Sequence, residues 1–195
     1  MKNALKVTGL LTFLTVAFLN AFVDLGHKII IQNTIFKNYD GSELIVLSSI
    51  VNGLILLPFI LLFTPTGYIS DKYPKSKIMR ISAWVAVGIT ILITFSYYQG
   101  WFWVSFGMTF LLALQSAFYS PAKYGYVKEL VGDRRLTQAN GLLQAVTTTG
   151  ILLGTFFFSL FFEKIIKGFE ITDKDSLIQM IAPLGWVLVV LSIFE

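Results

Sequence analysis

Five polar side chains recur along the first apolar segment of the chain. They are Asn20, Asp24, His27, Lys28 and Gln32, and their spacing places all five on one face of a helix. A charge near the centre of a bilayer costs about 2.5 to 3.5 kcal/mol on insertion scales, so Asp24 requires a partner or an aqueous cavity. This stripe is therefore a candidate site for a charged substrate or a proton.

A structural interpretation of the same stripe remains open. Asp24 and Lys28 could neutralise each other near the outer end of the helix, with Lys28 extending toward the lipid headgroups. For His27 taken alone, a hydrogen bond to a neighbouring helix is the favoured interpretation.

Two later apolar segments carry similar stripes at helical spacing. They are Gln115, Tyr119 and Lys123 in one segment, and Asn140 and Gln144 in the next. Because residues four apart share a helix face, we expect these side chains to line the same path as Asp24. Farther along the second of these segments, Gly150 and Gly154 have the spacing that lets two membrane helices approach closely.

The composition gives little indication of an enzyme. The chain has no cysteine, which excludes thiolate nucleophiles, disulfides and sulfur-ligated metals, and its single histidine excludes a histidine-rich metal site. The 195 residues contain no catalytic motif. We therefore predict neither an enzyme nor a bound metal or cofactor.

The composition is that of an integral membrane protein. Hydrophobic residues make up 55% of the chain and charged residues only 13%, about half the share in soluble domains. The net charge of +4 does not indicate nucleic acid as a partner, because the basic residues cluster between apolar segments rather than on one solvated face.

Six apolar segments are comparable to the roughly 20 residues that cross hydrocarbon as a helix. The third and fourth form one run, which we divide at 97–101 because interfacial aromatic residues flank a glycine there. The chain stops directly after the sixth segment, so we expect it to be a fragment or a half of a larger protein. We predict an all-α membrane bundle over residues 1–195, with six spans at 7–35, 44–70, 78–98, 101–127, 136–162 and 176–194.

The distribution of basic residues predicts the orientation of the bundle. Short loops that carry Lys and Arg are retained on the cytoplasmic side of a membrane. With a cytoplasmic N-terminus, most of the fifteen basic residues lie on that side, including Lys2 and Lys6, whereas the outer segment balances its lysines with acids such as Glu170.

A cationic loop, GYISDKYPKSK at 67–77, joins the second and third predicted spans. It resembles the loop signature of the major facilitator superfamily, and its position after the second span agrees with that family. The residues that carry this resemblance, and the cytoplasmic gate that it implies, are Gly67, Asp71, Lys72, Pro74, Lys75 and Lys77.

Three further motifs resemble the bacterial lysophospholipid transporter family within that superfamily. They are AFVD at 21–24, YSPAKYG at 119–125 and ANGL at 139–142. The resemblance covers essentially the whole chain and implies the N-terminal six-helix half of a twelve-helix transporter, with the missing C-terminal half as a partner. Some members would have an acidic residue at position 144, where this chain has Gln144.

The resemblance implies a flippase-like carrier of lysophospholipids, chiefly lysophosphatidylethanolamine. It would move them across the bacterial inner membrane to the cytoplasmic leaflet, where an acyltransferase re-acylates them. Asp24 would pair with the substrate amine, and Lys28 or Lys123 would meet the phosphate. Asp71 would act as a latch between the two halves, and its partner would be a helix end or a basic residue, with Lys123, Lys128 or Arg134 as nearby candidates.

Three alternatives stay open. The same loop signature fits a different facilitator, such as a proton-coupled drug exporter. The chain could also be the membrane module of a protein fused to an acyltransferase, since the family includes such fusions. A structural membrane protein without cargo is the third alternative, and it would tolerate the loss of the Asp24 charge.

Overall fold

Apolar segments of this length form helices in a membrane because a helix satisfies every backbone hydrogen bond internally. The computed structural model of the chain describes residues 7–169 and 173–195, and all regular structure within these ranges is helical. Lys2, Lys6 and Glu170, whose charges contribute to the predicted orientation, lie outside the described residues.

Five long helices and one bent pair make up the described structure. Each of the five is long and apolar enough to cross a membrane, and the last two helices together provide a sixth candidate span. The predicted all-α membrane fold is therefore confirmed. The helices are α1 (Leu10–Asn38), α2 (Gly41–Lys72), α3 (Lys75–Tyr98), α4 (Phe102–Val131), α5 (Leu136–Ile166), α6 (Lys174–Met180) and α7 (Pro183–Ile193), with a 3-10 turn (Asp133–Arg135) before α5.

The sixth predicted span, 176–194, is not continuous. The helix breaks after Met180 and resumes at Pro183, and α6 and α7 are bent by 56° relative to each other. Proline explains the break, because it has no backbone N–H and its ring clashes with the preceding turn, whereas it fits the first turn of a new helix. Pro183 indeed occupies the start of α7.

The turn between α3 and α4 depends on a glycine. Gly100 has a φ of +70°, and a Cβ at this position would lie 3.1 Å from the Asp175 carbonyl oxygen at the start of α6. A residue with a side chain would therefore be strained and crowded there. The glycine lets the hairpin close tightly against α6.

Two apolar clusters stabilise the bundle, one at each end. The larger contains Val23 and Ile30 of α1 together with buried residues of α3–α7, and the smaller joins Leu10 and Leu14 of α1 to the far ends of α4 and α5. The main helix pairings are α1 with α5, α2 with α4, and α3 with both α4 and α7. Between the two clusters lies a level of the bundle that contains polar side chains.

Candidate functional site

Seven polar side chains from α1, α4 and the segment after α7 occupy the level between the two apolar clusters. We call this set the polar layer: Asn20, Asp24, Gln115, Ser116, Tyr119, Lys123 and Glu195. Tyr119 is 1% exposed and Lys123 is 5% exposed, so the layer is inside the bundle and not on its surface. Buried polar groups of this kind need partners, and the layer provides several.

Asp24 is linked to α3 through α4. The Ser116 hydroxyl donates a hydrogen bond to the Asp24 carboxylate and also lies 3.0 Å from the Gln115 side-chain oxygen. Because a hydroxyl has one proton, the charged acceptor is favoured. The Gln115 amide in turn donates to the Ser82 carbonyl oxygen at 3.0 Å. Sequence analysis missed Ser116, whose only signal was a small hydroxyl next to a polar stripe.

The Lys123 ammonium lies over two aromatic rings. It is 5.5 Å from the centroid of Tyr119 and 5.4 Å from that of Tyr124, distances at which cation–π attraction is significant. Among the described residues, none forms an ion pair with Lys123. Its three N–H donors therefore stay available to an anionic group.

Glu195 is a second acid in the layer that sequence analysis did not select. The Asn20 amide donates to Glu195 Oε1 at 3.1 Å, while Glu195 Oε2 and the Tyr119 hydroxyl are buried without a hydrogen-bond partner among the described residues. Tyr119 and Glu195 line a cavity of about 490 Å³ together with Arg80 and Trp84. The two unpartnered oxygen atoms are therefore available for hydrogen bonds to a molecule in this cavity. Glu195 was missed because it follows the last apolar segment.

His27 sits between three helices. Its Nδ1 lies 2.7 Å from the Tyr97 hydroxyl of α3, and its Nε2 lies 3.3 Å from the Thr109 hydroxyl of α4. Both ring nitrogens thus have partners, as the favoured interpretation of this residue requires. Gln32, one turn farther along α1, donates to the Ser48 hydroxyl of α2 at 2.7 Å.

Lys28 is half-buried on the same face of α1 as Asp24, and both line a cavity of about 170 Å³. In the described part of the chain the two residues form no ion pair. The self-neutralising pair is therefore not what the structure shows. A carboxylate and an ammonium instead line the same small cavity without neutralising each other directly.

The stripe on α5 lies apart from the polar layer. Asn140 and Gln144 are both exposed. Gln144 reaches the layer indirectly, because its side-chain oxygen accepts a hydrogen bond from Tyr124 at 3.3 Å, and the ring of Tyr124 lies beneath Lys123. Asn140 has no such link among the described residues.

The loop at 67–77 is tied to the end of α4. Lys75 forms a 2.8 Å ion pair with Glu129, and the stem of Lys75 packs over Gly125, where a Cβ would lie 2.5 Å from it. Lys72 lies 5.6 Å from the centroid of the Tyr68 ring. Gly67 is half-buried, and the remaining gate residues are exposed: Asp71, Pro74 and Lys77.

Asp71 makes no ion pair within the described ranges. Of its three basic candidates, Lys128 pairs with Asp133 at 3.2 Å and Lys123 is buried in the polar layer. Arg134 is exposed in the 3-10 turn before α5. A latch through Asp71 stays a prediction.

The sequence of this chain matches a known family and several curated proteins. The model of the Major Facilitator Superfamily matches residues 11–172. A protein of Serratia proteamaculans named lysophospholipid transporter LplT is 27% identical over 142 residues, which cover 71% of this chain and 32% of that protein. A protein of the same name from Salmonella heidelberg is 31% identical over 159 residues, covering 75% and 34% respectively.

A third relative of that name, from Photorhabdus laumondii, is 36% identical over 102 residues, covering 51% of this chain and 24% of the relative. The chain thus spans a quarter to a third of the length of the curated relatives it matches. No solved structure matches it significantly.

Proposed function

This chain belongs to the major facilitator superfamily of secondary transporters, and on that premise we propose that it is half of a lysophospholipid carrier. Transport rather than catalysis is the activity of this family. The named relatives support the choice of lysophospholipids as substrate. Lysophosphatidylethanolamine is the substrate that we favour.

The observation that carries this proposal is the presence of side chains of opposite charge, not paired with each other, in the polar layer. Asp24 offers a carboxylate on α1, and Lys123 offers an ammonium with free donors on α4. A zwitterionic headgroup has an amine and a phosphate, so it can bind both at once. Lys28, in the small cavity at Asp24, is a second cation for the phosphate.

The proposed transport runs toward the cytoplasmic leaflet of the bacterial inner membrane. The chain lies in the bacterial inner membrane with its N-terminus in the cytoplasm, and a C-terminal six-helix half completes the carrier. The two halves rock around the substrate and expose it first to one side and then to the other. Asp71 latches them on the cytoplasmic side, and an acyltransferase re-acylates the lysolipid once it reaches the cytoplasmic leaflet.

Uptake of labelled lysophosphatidylethanolamine into spheroplasts that express the complete carrier, in which this chain is joined to its C-terminal half, tests this function. We expect Asp24→Asn to lower the uptake rate about tenfold or more at equal membrane levels, because it removes a charged hydrogen-bond acceptor for the amine. Asp133→Asn is the matched control, since Asp133 is an exposed acid outside the polar layer, and it should transport normally.

Absence of uptake by the unmodified protein would refute the lysolipid proposal. Efflux of a drug driven by a proton gradient would then favour the alternative exporter. Normal uptake by Asp24→Asn would support lysolipid as the substrate but would contradict a place for Asp24 in its path.

A further inference from the structure

A slot lies between α2 and α3 at the end of the bundle near the cationic loop. Only residues 73 and 74 separate the two helices in sequence, yet they barely touch, because α2 packs on α4 and α3 packs on both α4 and α7. The helices therefore diverge from the loop. The gap is lined by α3 on one side and by α4 as its floor, with Ile69 and Tyr73 at the end of α2 closing it near the loop. The resulting cavity has a volume of about 600 Å³, which is within the range of small-molecule sites.

The walls of the slot are apolar. They are formed mainly by aliphatic side chains, among them Ile69, Ile81, Val85, Leu111 and Leu114. Ile81 and Val85 are about half exposed, so the slot opens sideways, toward the hydrocarbon of a surrounding bilayer.

Ser82 of α3 and Gln115 of α4 are polar residues that line the slot. The Gln115 amide already donates a hydrogen bond to the backbone carbonyl oxygen of Ser82. The slot also shares no lining residue with the cavity at Asp24. It therefore suits a hydrocarbon chain, and it meets the polar layer at Gln115.

A lysine stands at the mouth of the slot. Lys77 lines it and is exposed, and within the described ranges no acid lies within ion-pairing distance of it. The neighbouring lysines are engaged differently, since Lys75 pairs with Glu129 and Lys72 lies near the rings of Tyr68 and Tyr73. An unneutralised cation at the end of a membrane-facing apolar slot is complementary to a lipid phosphate.

We propose that this slot binds an anionic phospholipid from the leaflet that borders the α2–α3 loop. One acyl chain lies between α2 and α3 on the floor of α4, and the phosphate contacts Lys77. A peptide segment fits less well, because its backbone polar groups would be unsatisfied against these walls. The lipid would brace the two helices at the point where the loop joins them.

Native mass spectrometry of the purified protein in detergent, with added dioleoyl phosphatidylglycerol or dioleoyl phosphatidylcholine, tests the headgroup contact. We expect the unmodified protein to retain the anionic lipid preferentially, and Lys77→Gln to weaken that retention about fivefold, the contribution of one lysine near a membrane surface. Lys128→Gln is the matched control, because it removes one positive charge at the same end of the bundle, where Lys128 pairs with Asp133 outside the slot.

A second pair of variants tests whether the acyl chain binds in the slot. Val85→Phe should narrow the slot and reduce the binding of both lipids, whereas Ile91→Phe, at an equally exposed position of α3 outside the slot, should not. Circular dichroism would establish that each variant keeps its helical content. Equal losses for Lys77→Gln and Lys128→Gln would overturn the headgroup contact, and unchanged binding by Val85→Phe would overturn the slot itself.

Discussion

His27 fastens α1 to α3 and α4 through hydrogen bonds to Tyr97 and Thr109. His27→Leu keeps a similar volume but leaves both hydroxyls without these partners in a buried place. We expect this change to lower the free energy of unfolding by about 1–3 kcal/mol, the cost of unsatisfied buried polar groups. Denaturant titration in detergent micelles, followed by circular dichroism, measures the difference.

Tyr97→Phe is the companion variant, because it removes one hydroxyl and keeps the ring. Hydrogen bonds between membrane helices contribute about 0.6 kcal/mol on average, so its effect should be the smaller. If His27→Leu were as stable as the unmodified protein, His27 would not hold these helices together.

Asp173 caps the short helix α6 outside the apolar core. Its carboxylate accepts a hydrogen bond from the Ser176 backbone N–H at 2.7 Å, and this bond lowers the pKa of Asp173 below its usual value. A lowered pKa means that the cap is complete at neutral pH and is lost when the pH falls through the folded-state pKa.

Asp173→Ala should therefore increase amide exchange at Ser176 and Leu177 at neutral pH. At a pH low enough to protonate Asp173, the difference from the unmodified protein should shrink, because both proteins then lack a charged cap. Hydrogen–deuterium exchange with peptide-level mass spectrometry can follow both amides. A difference that is independent of pH would contradict the role of the carboxylate charge.

The charged residues of the polar layer could be chosen as candidates from the sequence, but the groups to which they hydrogen-bond could not. Asp24 and Lys123 could be selected because a charge in an apolar segment is costly wherever it points. Ser116 and the Ser82 carbonyl could not, because their contacts depend on how α1, α3 and α4 are rotated about their own axes. That rotation is a property of packing and is not contained in the spacing within one helix.

At the scale of helices, α1 and α5 approach each other closely at two glycines of α5, and we call this contact the seam. A Cβ on Gly150 would lie 2.7 Å from the Phe18 carbonyl oxygen, and one on Gly154 would lie 2.9 Å from that of Phe22. Since these contacts are with backbone, no side chain can rotate away to make room. The sequence predicted close approach at this pair of glycines, and the structure identifies α1 as the helix that approaches.

We expect Gly150→Ala and Gly154→Ala each to destabilise the bundle by about 1–3 kcal/mol, the usual range for overpacking. This loss would appear even though alanine favours a helix over glycine by about 1 kcal/mol. Unfolding by sodium dodecyl sulfate from mixed micelles measures the change.

Gly141→Ala on the same helix is the control for the seam. A Cβ there would have no neighbour within 4 Å, so the change should be neutral or stabilising. A destabilisation as large as that of Gly150→Ala would mean that alanine disturbs α5 itself and not the seam.

The sequence did not predict the break between α6 and α7, because the hydropathy of 176–194 stays high across it. Pro183 was visible in the sequence, but membrane helices often tolerate proline within a span. After the break α7 lies close to α3, since a Cβ on Gly185 would be 3.0 Å from the Thr94 Cα.

At the scale of the whole molecule, burial is uneven among the helices. In the most apolar stretch of each helix, 50% of α1 and 56% of α4 are buried, against 11% of α2 and 22% of α5. α2 and α5 therefore have the largest apolar faces available for lipid or for the proposed second half. Composition could predict that these helices enter a membrane, but not which of their faces the bundle leaves uncovered.

The pairing of helices also bears on how the protein is made. α1 packs chiefly on α5, and the hydrogen-bond partner of Asp24 is on α4, so the first helix meets neither until more than half of the chain has been synthesised. At typical translation rates this interval is on the order of ten seconds. Throughout it, the nascent α1 carries the Asp24 carboxylate without its hydrogen-bond donor on α4. The insertion machinery or interfacial water must solvate that charge until α4 has been synthesised.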